Sequence, residues 1–171
     1  MNPFETGARK LIPAVLIYLK SRDERFLMIH RNSKEGDYHQ GKWNGLGGKL
    51  EADESALEAA RRELTEESGF RLPAEAFVSL GTVHFPNFKA HKSEDWLVFV
   101  WMAHLPRTAS EAIPAACDEG SLHWVPKEDL LKLNLWEGDR HFLPLVLAER
   151  PFQGTIWYQG EKVIRHEGFP L

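Results

Sequence analysis

The chain lacks most of what a secreted, membrane-bound or duplex-binding protein needs. Among 171 residues there is one cysteine, Cys117, so no internal disulfide framework is available and a reducing cytoplasm is the expected compartment. Cys117 stands in an alanine-rich stretch with no activating pattern beside it, which fits a buried or idle thiol. The apolar run LIPAVLIYL at 11–19 is too short to span a bilayer. The N-terminal MNPFETGARK has no apolar core followed by a small-residue cleavage site. Strong charge of either sign is missing too: 21 Lys and Arg against 25 Asp and Glu leave a net charge of −4. No broad basic surface therefore advertises duplex nucleic acid. Repeats, low-complexity tracts and linkers are absent, and the length fits one full core rather than two. Residues 1–171 are expected to form a single soluble domain.

What is there concentrates at residues 48–70, GKLEADESALEAARRELTEESGF. Glu63, Glu66 and Glu67 are spaced i, i+3 and i+4, which on a helix stacks three carboxylates on one face, about 5–6 Å apart at Cβ. Like charges so placed repel unless something neutralises them. A hard divalent cation, magnesium or manganese, is the simplest neutraliser for carboxylate oxygens. The alternative is a solvated acidic face whose glutamates pair with neighbouring arginines. Asp53 or Ser55 can cap this helix, Ser55 with Glu58 having capping-box spacing. Ala56, Leu57, Ala60 and Leu64 form its apolar stripe, and Gly69 suits the left-handed residue that ends it. Glu54 lies eight residues before Arg62, about two turns, within reach of that long side chain.

Residues 11–19 and 25–30 read as strands joined by the polar turn SRDE. Pro13 suggests an edge position or a strand start. A polar loop over 31–42 leads to WNGLGG. Residues 77–85 and 95–104 are rich in Val, Phe and Trp and read as strands, with a short strand at 121–125. Pro126 opens a predicted helix to 133. A further helix is expected over 139–149, with Pro144 kinking it or marking a late start. The tail GTIWYQGEKVIRHE reads as a hairpin turning near Gln159 and Gly160. Strands with helices between them predict the α/β class, as an α/β/α sandwich with a mixed sheet.

In one register, Gly48, Glu54, Arg62, Glu63, Leu64, Glu66, Glu67, Gly69 and Phe70 fill every fixed slot of the box G-x5-E-x7-R-E-U-x-E-E-x-G-U, where U is bulky and apolar. On these residues the chain resembles the MutT/Nudix hydrolases. GKWNGLGGK, DEGSLHW, LWEGDRHFLPLVL and FQGTIWYQG resemble the family's MutT-type purine nucleoside triphosphatases, those acting on 8-oxo-dGTP included. The resemblance implies the Nudix fold and cleavage of a purine nucleoside triphosphate, such as 8-oxo-dGTP or dGTP, to monophosphate and pyrophosphate. It also implies a magnesium cofactor, with manganese a possible substitute, held by Glu63, Glu66, Glu67 and the Gly47 carbonyl. Glu119 would be a further metal-linked acid, its other reading being a solvated loop carboxylate. Glu63 or Glu67 would orient or deprotonate the attacking water. Glu54 and Arg62 would brace the loop and helix rather than react.

For the substrate, the resemblance implies base recognition by Asn44, Trp136 and Asp139; the plainer readings are core for Trp136 and a helix cap for Asp139. Lys49 would touch a phosphate or simply be a surface lysine. The family pattern has two adjacent aspartates where this chain has Gly138 before Asp139, so discrimination of oxidised guanine does not carry over. Trp43 and Phe85 read as packing residues. His30, His84 and His91 lack metal-ligand spacing and take no role. Pro86, sixteen residues beyond Phe70, keeps ADP-ribose or nucleotide-sugar hydrolysis as a rival, with RNA 5′-end hydrolysis and a catalytically inactive nucleotide sensor behind it. The expected partner is a small nucleotide, with neither duplex nucleic acid nor membrane, and monomer and homodimer are both open.

Overall fold

Apolar residues on both faces of the first strand place it in a sheet covered on both sides. In β1 (Lys10–Lys20), Val15, Ile17 and Leu19 point to one hydrophobic core, while Tyr18 points to the other with Leu16 packed beside it. β2 (Arg25–His30) repeats the alternation, with Phe26 and Met28 on one face and Leu27 and Ile29 on the opposite one. The computed structural model describes residues 7–32 and 34–169. The reading of the N-terminus falls partly on residues 1–6, outside the described residues.

The remaining strands are β3 (Trp43–Asn44), β4 (Leu46–Lys49), β5 (Phe77–Lys89), β6 (Glu94–His104), β7 (Ala116–Cys117), β8 (Gly120–Pro126), β9 (Phe152–Gln159) and β10 (Lys162–Glu167). They form one sheet in the order β10-β9-β5-β6-β1-β2-β8-β7, with β3 on β2 and β4 on β1. β1 with β6 and β5 with β9 run parallel and the other pairs antiparallel, so the sheet is mixed. Two helices, α1 (Ala56–Ser68) and α2 (Asp139–Leu147), cover it. Ala59, Ala60 and Leu64 of α1 belong to one core and Phe142, Leu143 and Val146 of α2 to the other, so the helices lie on opposite faces, as the α/β reading expects.

Several expectations need correction. Pro13 is not on an edge strand, since β1 has neighbours on both sides. Its carbonyl accepts from Leu50 N, so its nitrogen faces the same side, just past the end of the β4 ladder at Ala14, where no rung is lost. The helix expected from Pro126 is a short 3-10 turn, Lys127–Lys132, and Pro126 is the last residue of β8. α2 starts at Asp139 and runs unbroken past Pro144. β3, β4 and β7, two to four residues each, were not expected as strands. They are too short to leave a periodic signal.

Candidate active site

The acidic helix is fixed at both ends and along one side. The Ser55 hydroxyl accepts from Glu58 N at 3.1 Å, and a Glu58 oxygen accepts from Ser55 N at 2.8 Å, the reciprocal cap its spacing predicts. Gly69 ends the helix with φ 82° and donates from its N–H to Thr65 O. Ala59, Ala60 and Leu64 are fully buried; Leu64 alone contributes about 1.5–3 kcal/mol of burial. This registers α1 against β4, whose glycines let carboxylates approach the backbone. Gly47 N donates to Glu67 Oε1 at 3.2 Å. A Cβ on Gly48 would stand 2.3 Å from Glu63 Oε1.

Arg62 is the hub of the cluster. Its Nε and one terminal nitrogen grip Glu54 at 2.7 and 2.9 Å, and the latter nitrogen also reaches Lys49 O at 3.1 Å. The other terminal nitrogen donates to Glu63 at 2.8 Å and Glu66 at 3.3 Å. The bracing pair is thus Glu54 and Arg62, bidentate, and Glu66, 57% exposed, is turned to the arginine. Glu67 is different. It is buried, and its Oε2 has no hydrogen-bond partner. Burial, then the neighbouring Glu63 charge, push its carboxyl up to about 9, with Glu119 adding to the rise. Burial also raises Glu63, against the pull of Arg62.

Glu119 sits between β7 and β8 and is held in an ion pair by Arg31, which also binds Asp37 at 2.8 Å. Among the described residues no three acidic, imidazole or thiol side chains stand already gathered for a metal, and arginines hold Glu66 and Glu119. The hard-oxygen donor set and the orphaned Glu67 oxygen nonetheless fit a small dication. Cys117 is a free, half-buried thiol whose pKa is raised, first by burial, so it is idle as a nucleophile.

From this cluster a cleft of about 540 Å³ opens, lined by Asn44, Gly47, Lys49, Glu63, Glu119, Trp136 and Asp139 among others. Glu66 and Glu67 do not line it; Glu67 lies beneath Gly47. Trp136 combines both of its readings, being 3% exposed in the core yet a wall of the cleft. Asp139 is the first residue of α2 rather than its cap, which is Gly138. Burial pushes its carboxyl up to about 7. The departure at Gly138 has a steric cause: Gly138 N donates to the Tyr158 hydroxyl at 2.6 Å, and a Cβ there would meet that oxygen at 2.4 Å. Tyr158 occupies the space a side chain at 138 would need.

Sequence reasoning missed Arg31, Tyr38, His39, Phe88 and Lys89, all tied to the cleft. Tyr38 stacks on Trp136 at 5.4 Å, and Phe88 meets Trp136 edge-on at 5.5 Å. Lys89 stands over Trp96 at 4.6 Å, with Lys49 over the same ring at 5.5 Å. The aromatic doublet at 38–39 inside an otherwise polar loop was the one available signal. Phe85 also lines the cleft, whereas Trp43 stacks on His30 at 4.5 Å.

The NUDIX domain family model matches residues 10–146. The chain belongs to the Nudix family. It is a Nudix hydrolase, and the reaction class is hydrolysis of phosphoric anhydride bonds in nucleotides. It is 31% identical over 156 residues to a Danio rerio protein named oxidized purine nucleoside triphosphate hydrolase, covering 91% of this chain and 90% of the relative. A Mus musculus protein of the same name is 28% identical over 131 residues, covering 77% of this chain and 79% of its own. Among solved structures, the MutT protein from Bacillus halodurans superposes with a TM-score of 0.78 at 24% identity, covering 94% of this chain and 99% of that one. Among the described residues no helix is long and apolar enough to cross a membrane.

Proposed function

We propose that this Nudix hydrolase is a divalent-cation-dependent pyrophosphohydrolase of purine nucleoside triphosphates, 8-oxo-dGTP and dGTP first among them. The products are the nucleoside monophosphate and pyrophosphate. The observation that carries the reading is one cleft lined both by an acid of the box and by a polar and aromatic set. Glu63 lines it, with Glu67 bonded to Gly47 of the same wall, and so do Asn44, Trp136 and Asp139. The zebrafish and mouse relatives, by name, act on oxidized purine nucleoside triphosphates, which favours a purine beside the second set. The enzyme would act in the cytoplasm on a small nucleotide, as monomer or homodimer.

Magnesium, or manganese, would be held by Glu63, Glu66, Glu67 and the Gly47 carbonyl, with Glu119 from the facing turn. When bound, the dication supplies charge neutralisation and Lewis acidity at the phosphates. The protein's own part is positioning and proton handling. Glu63 would take the proton of the attacking water, or Glu67 in the ionised form that a bound dication would favour. Lys49 and Lys89 carry positive charge toward the polyphosphate. Asn44 offers both a donor and an acceptor to the base edge, and Asp139, with its carboxyl at about 7, offers either according to its protonation. The test is a panel of dGTP, 8-oxo-dGTP, ADP-ribose and a GDP-sugar, with magnesium and with chelator. The expected result is magnesium-dependent pyrophosphate release from the purine triphosphates. Faster cleavage of ADP-ribose, or undiminished activity in chelator, defeats the reading.

A further inference from the structure

The loop between β2 and β3 is fastened on three sides. Arg31 N donates to Lys42 O at 2.9 Å and Gly41 N to Arg31 O at 2.7 Å, closing the loop on itself. Trp43 N donates to Asn134 O, and the Asn134 amide donates to Gly41 O, both at 3.0 Å, tying it to the segment before α2. The Tyr38 hydroxyl donates to Phe88 O at 2.7 Å, tying it to β5. What this anchoring holds in place is His39, a cleft residue packed against the rings of Tyr38, Phe88 and Trp136 at centroid distances of 5.5, 5.8 and 5.5 Å.

The chemistry of His39 is fixed by one contact. Trp136 Nε1 lies 2.8 Å from His39 Nδ1. An indole nitrogen can only donate, so Nδ1 must be the lone-pair nitrogen and the ring proton sits on Nε2. Burial, with the nearby charges of Arg31 and Lys89, pushes the imidazolium down to about 4 against the opposing pull of Asp37, so the ring is neutral at physiological pH. Nε2–H is then a fixed donor, with no hydrogen-bond acceptor among the described residues.

We propose that His39 is a specificity-determining residue of this cleft, donating from Nε2–H to an acceptor atom on a purine base seated beside the Phe88 and Trp136 rings that line it. This rests on the purine reading above. Aromatic faces stack on bases without choosing among them, whereas a donor of fixed direction rejects a base edge that presents another donor. The base, rather than the phosphates, is the partner because His39 lies within the aromatic cluster.

Three variants separate reading the base from merely supporting Trp136. His39→Asn keeps an acceptor near the Nδ1 position for the indole and removes the reaching donor. His39→Gln keeps a donor near the Nε2 position. His39→Phe keeps the ring and removes both. Binding of dGMP and dAMP is followed by tryptophan fluorescence, which needs no turnover, with the melting temperature recorded alongside. The tighter of the two ligands should bind about tenfold more weakly to His39→Asn and His39→Phe, and within about threefold of wild type to His39→Gln, with Asn melting at or above Gln because it keeps the indole's acceptor. Wild-type-like binding by His39→Asn, equal losses in Asn and Gln, or no purine monophosphate binding by wild type overturns the proposal. Purine binding without triphosphate cleavage would instead defeat the functional reading alone.

Discussion

Two adjacent glycines do different jobs, and the atom each would strike says which. A Cβ on Gly47 would sit 2.0 Å from the Val15 carbonyl oxygen, which is backbone inside the β1–β4 ladder. A Cβ on Gly48 would meet only the end of the Glu63 side chain. Gly47→Ala should therefore destabilise the fold by about 2–4 kcal/mol. Gly48→Ala should melt near wild type but lose about 100-fold in kcat, because Glu63 is pushed aside. Thermal melts and steady-state kinetics of the pair check both halves; equal loss of stability in the two would contradict the assignment. Glu67 makes the companion case. It keeps an unpartnered oxygen and a carboxyl at about 9 inside the fold, a state that costs stability and suits only a bound cation. Glu67→Gln should abolish turnover while raising metal-free stability by about 1–2 kcal/mol, a few degrees in Tm. A folded Gln variant with near-normal activity removes Glu67 from the chemistry.

Among the elements, legibility followed local chemistry. The α1 boundaries were readable because Ser55, Glu58 and Gly69 act within a few residues of themselves, and the Glu54–Arg62 brace because both partners lie on one short segment. Ala59 was left out of the predicted stripe, since a small residue carries little hydrophobic signal yet fits where the helix meets the sheet. The residues proposed to read the base were only half legible. Asn44, Trp136 and Asp139 came from resemblance, but His39 and Tyr158 join them across 97 and 20 residues of chain. No local pattern encodes such contacts. At this scale the test is Arg62, which holds Glu54, Glu63 and Glu66 together with the Lys49 carbonyl. Arg62→Ala leaves the largely buried Glu54 and Glu63 without their counter-charge, and should lower stability by about 2–4 kcal/mol in metal-free protein. Magnesium should restore part of that loss, because it replaces the missing positive charge. Urea unfolding with and without magnesium reads this directly; equal losses in both conditions would mean the brace acts independently of the cation.

For the whole molecule, these carboxyls set the pH range over which the metal-free fold is strongest, and the sign follows group by group. Glu54 is held below its ordinary value, first by its Arg62 hydrogen bond, and Asp95 likewise by Arg9. Each contributes stability that is present above its unfolded pKa and is lost as pH falls through the lower, folded value. Asp139 and Glu67 act in the opposite sense. Their folded values, about 7 and about 9, lie above the unfolded references of 3.8 and 4.5. The folded state therefore holds protons that the unfolded chain has released, and stability declines as pH rises from about 4 through 9. Asp139→Asn removes its share of that decline, on the order of 4 kcal/mol once the wild-type group is ionised in both states. His39, held at about 4, adds the same rise in stability below pH 6.5 to every variant, so the carboxyls are read by difference: thermal melts in chelator at pH 5, 7 and 9 should show the advantage of Asp139→Asn over wild type growing with pH, and that of the Asp139→Asn and Glu67→Gln double variant growing further. An advantage of Asp139→Asn that does not widen with pH would place this carboxyl in contact with water or with positive charge, and the cleft would then lack the dry wall on which purine selection depends.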